Sequence, residues 1–197
     1  MSLPIPMLKD YSIYLASQSP RRRKLLKILN LSYKSFSVDV DETLKPGEIP
    51  IDTVLRLSTL KMEVAKKKVK KGIIITADTI VVLDDKIINK PKDKKDAEKI
   101  LKKLSGNTHI VYTGFAIYNT ENKKAIFDYE TTEVTFRKLD KQEILEYIET
   151  GSPMDKAGAY GIQDDFGAVF IEKIHGCYYN VVGLPLQKLY KRLKDIV

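Results

Sequence analysis

Hydroxyl and guanidinium groups cluster in the stretch "LASQSPRRRKLL", where an apolar strand pattern changes to a helical one. Ser19 fits a helix N-cap, because the proline after it lacks only an N–H that would be unpaired in the first turn. At about 100° per residue, Arg21 and Arg22 point toward the apolar side of this helix, whereas Arg23 points toward solvent. With Ser17, they predict a phosphate site at the helix N-terminus, where free N–H groups favour anions. A capped surface helix with solvated arginines is the structural alternative.

Two charged residues lie inside otherwise apolar patterns. Asp78 interrupts the β-branched run "GIIITADTIVVL", and burying an unpaired carboxylate is costly. The position therefore predicts a catalytic base or a metal ligand, with an aspartate satisfied by backbone N–H groups as the structural alternative. Lys61 falls on the apolar stripe of a helix predicted from Asp52 to Lys68. A lysine there either extends to the surface or meets a buried anion, and the pattern favours neither.

Four further polar residues occur in predicted loops and give weaker signals. Asp41 and Glu42 lie in "VDVDET", Lys90 lies in "NKPKD", and Gln163 lies in the glycine-containing loop "KAGAYGIQ". Each of them alone is typical of a solvated loop residue rather than of a ligand. They gain value only in combination with the arginine cluster, Lys61 and Asp78.

Several kinds of active site are absent from the sequence. There is no G-x-x-x-x-G-K-[ST] phosphate loop and no G-x-S-x-G nucleophile elbow. Two histidines, His109 and His175, are too few for a zinc cluster, and each is interpreted first as a strand or turn residue. Cys177 is interpreted as a small packed side chain. Carboxylates for Mg²⁺ or Mn²⁺ remain, with arginine and lysine for phosphate oxygens, which favours metal-assisted phosphoryl or nucleotidyl hydrolysis.

The hydrophobic periodicity predicts a mixed α/β fold that positions these residues. Strands are predicted at 11–16, 72–88, 109–118, 125–137 and 168–174, and helices at 20–30, 52–68, 93–106, 140–151 and 185–196. The strands at 109–118 and 125–137 read as an antiparallel hairpin, whereas strands that alternate with helices favour parallel pairing. With 197 residues and no internal repeat or linker, one elongated domain is the default expectation.

Composition restricts the partners and the compartment. No apolar run approaches the roughly 18 residues of a membrane helix, and a single cysteine favours a reducing, cytoplasmic compartment. The formal net charge of +8 comes mostly from lysines in 65–72 and 90–103. They are interpreted as solvated helix faces, because no aromatic residues alternate with them as in a single-strand binding groove.

These residues amount to a family resemblance. "LASQSPRRRKLL", "ADTIVVLDDKIINKPKD", "LKKLSGNTHIVYTGFAIY" and "DKAGAYGIQDDFGAVFIEKIHGCYYNVVGLPL" resemble the Maf family of nucleoside triphosphate pyrophosphatases, in order and over nearly the whole chain. The resemblance implies one Maf-like domain over 1–197, in the fold of the inosine triphosphate pyrophosphatases: an elongated mixed sheet flanked by helices, with two lobes around a cleft. It also implies hydrolysis between the α and β phosphates with a divalent metal, Mg²⁺ or Mn²⁺, and a homodimer.

The resemblance also assigns roles to individual positions. It implies that Asp78 accepts the proton of the attacking water and that Glu42, with Asp78, is a metal ligand. The implied phosphate contacts are Ser17, Arg21, Arg22, Lys61 and Lys90. Arg21, Thr79 and Gln163 resemble the branch of the family that acts on dTTP and UTP, not the branch that prefers 7-methyl-GTP. Two departures, "DDFG" after Gln163 and "HGCYY" near the last strand, put the local loop shape in question.

One alternative belongs to another functional class. The net positive charge, and the link of the resembled family to septum formation and division arrest, are compatible with a nucleic-acid-binding or cell-division regulatory protein that acts without catalysis. Such a protein would depend on the lysine run 66–71 and would bind DNA with steep salt dependence. The expected partner is instead a nucleoside triphosphate, with neither nucleic acid nor membrane.

Overall fold

The computed structural model of the chain describes residues 8–163 and 166–197. The helices are α1 (Pro20–Ile28), α2 (Pro50–Lys66), α3 (Lys94–Leu104), α4 (Lys141–Glu149), α5 (Tyr178–Val182) and α6 (Leu186–Asp195). The strands are β1 (Ile13–Ala16), β2 (Tyr33–Phe36), β3 (Ile73–Leu83), β4 (Lys86–Ile88), β5 (Thr108–Asn119), β6 (Ala125–Phe136) and β7 (Ile171–Gly176). Short 3₁₀ helices occur at Ser152–Asp155, Ala157–Ala159 and Phe166–Phe170. The two aspartates of "DDFG", at 164 and 165, lie outside the described residues.

The strands form one mixed sheet, as the sequence predicts. Its order is β2-β1-β3-β5-β6-β7, and β4 pairs with β3 beside this path. Strand β1 is parallel to β2 and to β3, whereas β4 is antiparallel to β3 and β7 is antiparallel to β6. Strands β5 and β6 are neighbours joined by only five residues, so they form the predicted hairpin.

The helix starts follow their capping residues. The Ser19 side chain accepts a hydrogen bond from the N–H of Arg22 at the start of α1, and the Asp93 side chain accepts one at the start of α3. Asp140 and Glu143 form the expected capping box at the start of α4. All three starts were predicted from the sequence, because a cap signal is local and independent of tertiary contacts.

Three features differ from the predicted elements. The strand predicted at 72–88 is a tight hairpin, because Asp84 and Asp85 adopt positive φ angles of 50° and 59° that reverse the chain between β3 and β4. The short strand β2 and the five-residue helix α5 were not predicted. The strand predicted at 168–174 begins later, at Ile171, since the residues before it form a 3₁₀ turn.

The chain divides into two compact units, and each has its own core. The first comprises the described residues up to Asp78, Thr113–Glu130 and Gly183–Val197, and the second comprises Thr79–Tyr112 and Thr131–Val182. A cluster in the first unit contains Ala16, Met62, Ala65, Val69, Ile74 and Ala116. The second unit has a larger cluster that includes Leu101, Phe136, Tyr147, Tyr160 and Phe170. In the described part of the chain, no helix combines the length and apolarity that crossing a membrane requires.

Helix α2 lies unusually close to the sheet of the first unit. A Cβ atom on Gly114 of β5 would lie 2.5 Å from the backbone oxygen of Val54, so only glycine allows this approach. On β3, the Thr76 hydroxyl donates to the Ser58 carbonyl oxygen at 2.8 Å. Because side chains two residues apart on a strand share a face, Asp78 faces the same helix as Thr76. The packing therefore directs Asp78 toward the next turn of α2, which carries Lys61.

Candidate active site

The centre of the candidate site is a buried ion pair between Lys61 and Asp78. Lys61 Nζ lies 2.5 Å from Asp78 Oδ1, and the two residues are 9% and 7% exposed. Two opposite charges held this far from water stabilise each other where either alone would be costly to bury. The sequence left Lys61 undecided between the surface and a buried anion, and the structure shows the second.

A second carboxylate reaches the same ammonium group. Lys61 Nζ lies 2.7 Å from Glu42 Oε1, and the Glu42 side chain is 52% exposed. Glu42 belongs to the irregular segment between β2 and α2. Lys61 therefore links a buried carboxylate on β3 with one that is open to solvent.

Two arginines at the start of α1 add positive charge to this group. Arg22 Nε donates to the carbonyl oxygen of Gly183 at 2.8 Å, which fixes the direction of the guanidinium. Burial lowers the pKa of Arg22, the charges of Asp78 and Glu42 act in the opposite direction, and the neighbouring charge of Arg21 lowers it further. Arg22 thus lies in the electrostatic field of both carboxylates, as the predicted inward orientation requires. Arg21 is partly buried beside it.

Ser17 occupies the turn that leads into α1. It is 6% exposed, and its hydroxyl oxygen accepts a hydrogen bond from the N–H of Ser19 at 3.2 Å. In parallel strands β1 and β3 the last paired residues are Leu15 and Ile75. Ser17 and Asp78 both lie beyond that pair in the chain direction, at the carboxyl side of the parallel strands where α/β folds bind ligands.

The prediction that Arg23 meets only water is wrong. Its Nη2 atom donates to the carbonyl oxygen of Ser17 at 3.3 Å, and its Nε atom is buried without a hydrogen-bond partner among the described residues. The carbonyl of Arg23 also accepts a hydrogen bond from the Tyr33 hydroxyl at 2.7 Å. Besides the apolar stripe of α1, strand β2 and the turn at Ser17 provide a second buried side, which the helical periodicity alone does not reveal.

The remaining three candidates belong to the second unit. Thr79 follows Asp78 in β3 and is partly exposed, Lys90 is exposed just after β4, and Gln163 is partly buried in the loop before the last 3₁₀ helix. The structure thus groups Ser17, Arg21, Arg22, Glu42, Lys61 and Asp78 within the first unit. The roles of all nine candidates stay predictions.

Carboxylate oxygens are the chemical type of ligand that a hard divalent cation takes. Glu42 and Asp78 each place one oxygen against Lys61 Nζ, so the two carboxylates lie close together. No cluster of three or more His, Cys, Asp or Glu residues suited to a metal occurs among the residues that the structure describes. A cation held by these two carboxylates would complete its shell with water and phosphate oxygens, as Mg²⁺ commonly does.

Sequence reasoning missed a second ion pair next to this site. Arg56 Nε and Nη2 donate to the two carboxylate oxygens of Glu48 at 2.6 and 2.7 Å. Neither residue interrupts an apolar pattern, so no sequence signal distinguishes them from solvated charges. Their eight-residue separation also matches no spacing within a single helix turn.

The two histidines and the cysteine, which the sequence assigned to no active site, lie in strands or directly after one. His109 belongs to β5 and is buried, with its Nε2 atom 2.8 Å from the Tyr160 hydroxyl, and burial lowers the pKa of His109 to about 4. His175 belongs to β7. Cys177 is partly buried, and its N–H donates to the Thr132 hydroxyl at 3.0 Å.

Comparison with known proteins establishes the family. The model of the family described as Maf-like protein matches residues 12–196. A dTTP/UTP pyrophosphatase of Aquifex aeolicus is 44% identical over 93% of this chain and 95% of its own length. A dTTP/UTP pyrophosphatase of a Thermoanaerobacter species is 49% identical over 92% of this chain and 95% of its own length. The chain therefore belongs to the Maf-like family, as the motifs indicated.

A solved structure agrees with the fold. The HAM1 protein of Coxiella burnetii superposes with a TM-score of 0.50 at 14% identity, covering 94% of this chain and 99% of that protein. At this level of identity the likeness concerns the fold alone. It confirms the expected fold class, a mixed sheet flanked by helices.

Proposed function

We propose that this chain is a nucleoside triphosphate pyrophosphatase that acts on dTTP and UTP, and that it also accepts modified pyrimidine nucleotides. The observation that carries the proposal is the buried Lys61–Asp78 pair, with Glu42 on the same ammonium group and Arg22 in their field. The names of relatives 44% and 49% identical over most of the chain support the substrate class.

In the proposal, the cationic side chains of the site bind the phosphates. Three cations, Arg21, Arg22 and Lys61, accompany two carboxylates, so the group retains positive charge for a triphosphate. Arginine suits this role because its guanidinium donates two parallel hydrogen bonds to phosphate oxygens. In the proposal, Ser17 adds a hydroxyl donor and Lys90 a further charge. Screening the anionic phosphates lowers the electrostatic barrier to attack by water.

Asp78 is proposed as the general base. Lys61 contacts its Oδ1 atom, and the proposal gives the other oxygen, Oδ2, to the attacking water. The water oxygen attacks the α-phosphorus while its proton passes to Asp78. The bond from the α-phosphorus to the oxygen bridging to the β-phosphate breaks, and the products are a nucleoside monophosphate and pyrophosphate.

Glu42 and Asp78 are proposed to hold the divalent cation, Mg²⁺ or Mn²⁺. When bound, such a cation supplies charge neutralisation for the phosphates and a more acidic water. The protein's own contribution is to keep the two carboxylates close together through Lys61, and a cation would use lone pairs of the carboxylate oxygens that Lys61 leaves open. What supports this assignment is that both carboxylates lie close enough to contact one nitrogen atom.

Base selection, assembly and location complete the proposal. Arg21, Thr79 and Gln163 are proposed to favour thymine and uracil, on the basis of the family branch that they resemble. A homodimer in the cytoplasm is proposed on the same resemblance, and the single cysteine, Cys177, agrees with a reducing compartment.

The test is pyrophosphate release from dTTP, UTP, ATP and 7-methyl-GTP, with Mg²⁺ or Mn²⁺. We expect dTTP and UTP to be preferred, and Asp78→Asn to lower kcat by roughly 10²–10⁴-fold, the usual contribution of a general base. Asp128→Asn is a matched control, because Asp128 pairs with Arg192 in the same unit. Equal turnover by wild type and Asp78→Asn, with both folded, would contradict the assigned base.

A further inference from the structure

The segment that carries Glu42 has no secondary structure of its own. Residues 37–49, between β2 and α2, form neither helix nor strand. The Glu42 side chain is half exposed, yet its Oε1 atom lies 2.7 Å from Lys61 Nζ. A half-exposed glutamate in an irregular segment needs an external constraint to keep that position, because the entropy of the chain favours many others.

Arg56 supplies a direct contact to this segment. Its Nη2 atom donates to the carbonyl oxygen of Thr43, the residue after Glu42, at 3.2 Å. Thr43 in turn donates from its N–H and its hydroxyl to Asp41 Oδ1, at 2.9 and 2.6 Å. The residues on both sides of Glu42 are thus tied to each other, and through Thr43 they are tied to helix α2.

The guanidinium of Arg56 is itself held in one orientation. Glu48 accepts two parallel hydrogen bonds from it, at 2.6 and 2.7 Å, and also accepts one from the Thr53 hydroxyl at 3.1 Å. The side chains of Arg56 and Glu48 are only 17% and 12% exposed. The hydrogen bonds from Arg56 lower the pKa of Glu48, so this pair stays ionised around neutral pH. The pairing with Glu48 uses Nε and one N–H of Nη2, so the second N–H of Nη2 donates to the Thr43 carbonyl oxygen.

Beyond its contacts with Glu48, helix α2 therefore reaches the part of the segment around Glu42 at two points. Arg56 and Lys61 are five residues apart, a rise of about 7.5 Å along the helix. Arg56 holds the backbone next to Glu42, and Lys61 holds the Glu42 carboxylate. We propose that Arg56 is a positioning residue, which keeps Glu42 beside Lys61 and Asp78 for cation binding, and that Glu48 orients Arg56 for this task. The catalytic consequence rests on the proposed pyrophosphatase function, whereas the anchoring of the segment does not.

The test compares Arg56→Met with Arg192→Met. Arg192 is a matched control, because it also pairs with carboxylates in the same unit, Asp128 and Asp195, and both of these lie outside residues 37–49. In Arg56→Met we expect roughly 10–100-fold weaker affinity for Mn²⁺, titrated without nucleotide, as is typical when a partner of a metal ligand is removed. Pyrophosphate release should need correspondingly more Mn²⁺, recover at high Mn²⁺, and show little change in KM for the nucleotide.

Hydrogen exchange of the amides in 41–48 provides a readout that does not depend on activity. We expect faster exchange of these amides in Arg56→Met than in wild type or Arg192→Met. Glu48→Gln keeps Arg56 and covers the case in which Arg56→Met does not fold; it should shift exchange and Mn²⁺ affinity in the same direction. The two substitutions should be non-additive, because they act through one chain of contacts.

The possible outcomes test the positioning role of Arg56 and the proposed pyrophosphatase function separately. Unchanged exchange and unchanged Mn²⁺ affinity in Arg56→Met and Glu48→Gln, with only a lower Tm, would overturn the positioning role. Faster exchange with unchanged Mn²⁺ affinity would also overturn it, because the anchored segment would then not serve the cation. If wild type releases no pyrophosphate from any nucleotide, the proposed function fails, while exchange and Mn²⁺ titration still decide the role of Arg56.

Discussion

Lys61 links the chemistry of the candidate site to the architecture of the first unit. Its ammonium group contacts Asp78 at 2.5 Å and Glu42 at 2.7 Å. Because the pair with Asp78 is buried, removing Lys61 would leave the Asp78 carboxylate without this contact in a poorly hydrated environment, whereas removing Asp78 would leave Lys61 paired with Glu42 alone. A lysine on the apolar stripe of a helix and an aspartate in an apolar strand therefore explain each other. Neither position has a simple structural explanation on its own.

Asp78 and Lys61 could be picked out from the sequence because each is a charged residue at a position where the hydrophobic pattern expects an apolar one. Asp78 and Lys61 contradict their segments, and the structure brings them together. Glu48 and Arg56 contradict nothing, since each fits a polar surface, and their contact joins a loop to a helix. Arg23 was assigned to solvent for a related reason: one helix viewed alone does not reveal the carbonyl of Ser17 packed against its other side. Single-sequence reasoning detects a conflict within an element but not a contact between elements.

The arginine cluster yields a prediction about three neighbouring residues. We expect Arg21→Ala and Arg22→Ala to lower kcat/KM for UTP by about 10–100-fold each, because each removes a charge-assisted contact worth about 1.5–3 kcal/mol. Arg23→Ala should instead lower the Tm, through loss of its bond to the Ser17 carbonyl, with a smaller change in kcat/KM. Steady-state kinetics and thermal unfolding of all three variants check this. Equal kinetic losses without any change in Tm would mean that the cluster acts as diffuse charge.

At the scale of elements, the sequence predicted what local rules determine. The helices with caps begin within two residues of the expected positions, because Ser19, Asp93 and Asp140 satisfy free N–H groups wherever the helix packs. Strand β2 and helix α5 were missed, since four and five residues are too few for a period to appear. Both depend on neighbours for their stability, β2 through its parallel pairing with β1. Short elements of this kind require knowledge of the tertiary structure.

The close approach of α2 to β5 leads to a prediction at Gly114. In Gly114→Ala the new Cβ would lie 2.5 Å from the backbone oxygen of Val54, so helix or strand must shift. We expect the free energy of unfolding in urea to fall by about 1–3 kcal/mol, as for other overpacked interiors. Because α2 carries Lys61, kcat should fall as well.

Gly106→Ala provides the comparison for this prediction. Gly106 has a φ of +70° but no atom within 4 Å of a new Cβ. Its substitution should lower the free energy of unfolding by only about 1–2 kcal/mol, the cost of placing a Cβ atom on left-handed backbone, and should leave kcat unchanged. A Gly114→Ala variant with wild-type stability and turnover would show that α2 can move without disturbing the site.

At the scale of the whole molecule, the lysine run 66–71 contributes to the net charge of +8, and several of its lysines have partners within the protein. Lys66 pairs with Glu63 and lies over the Tyr118 ring, Lys68 donates to the Ser37 carbonyl, and Lys71 pairs with Glu121. Three of the lysines in the run are thus engaged within the protein. This weakens the alternative of a nucleic-acid-binding regulator, which would need these cations for phosphates of DNA.

The buried histidine gives the whole molecule a pH-dependent stability. Burial lowers the pKa of His109 from 6.5 to about 4, and its Nδ1 atom has no hydrogen-bond partner among the described residues. The folded protein therefore excludes a proton that the unfolded chain binds below pH 6.5. Stability from this source is complete above pH 6.5 and is lost as the pH falls toward 4, by about 3 kcal/mol at 1.36 kcal/mol per pH unit.

His109→Phe isolates this effect, because phenylalanine fits the aromatic contacts with Phe136 and Tyr160 but does not titrate. We expect the free energy of unfolding in urea, measured from pH 7 to 4.5, to fall less in His109→Phe than in wild type, even if the variant is less stable at pH 7. His175→Phe is the matched control for a substitution of histidine by phenylalanine, because the His175 side chain is 84% exposed, whereas His109 is buried. The paired carboxylate of Glu143, whose pKa Arg137 lowers to about 2, loses its contribution only as the pH falls from about 4.5 toward 2, below this window. An identical slope in wild type and His109→Phe would mean that the imidazole becomes charged within the folded second unit.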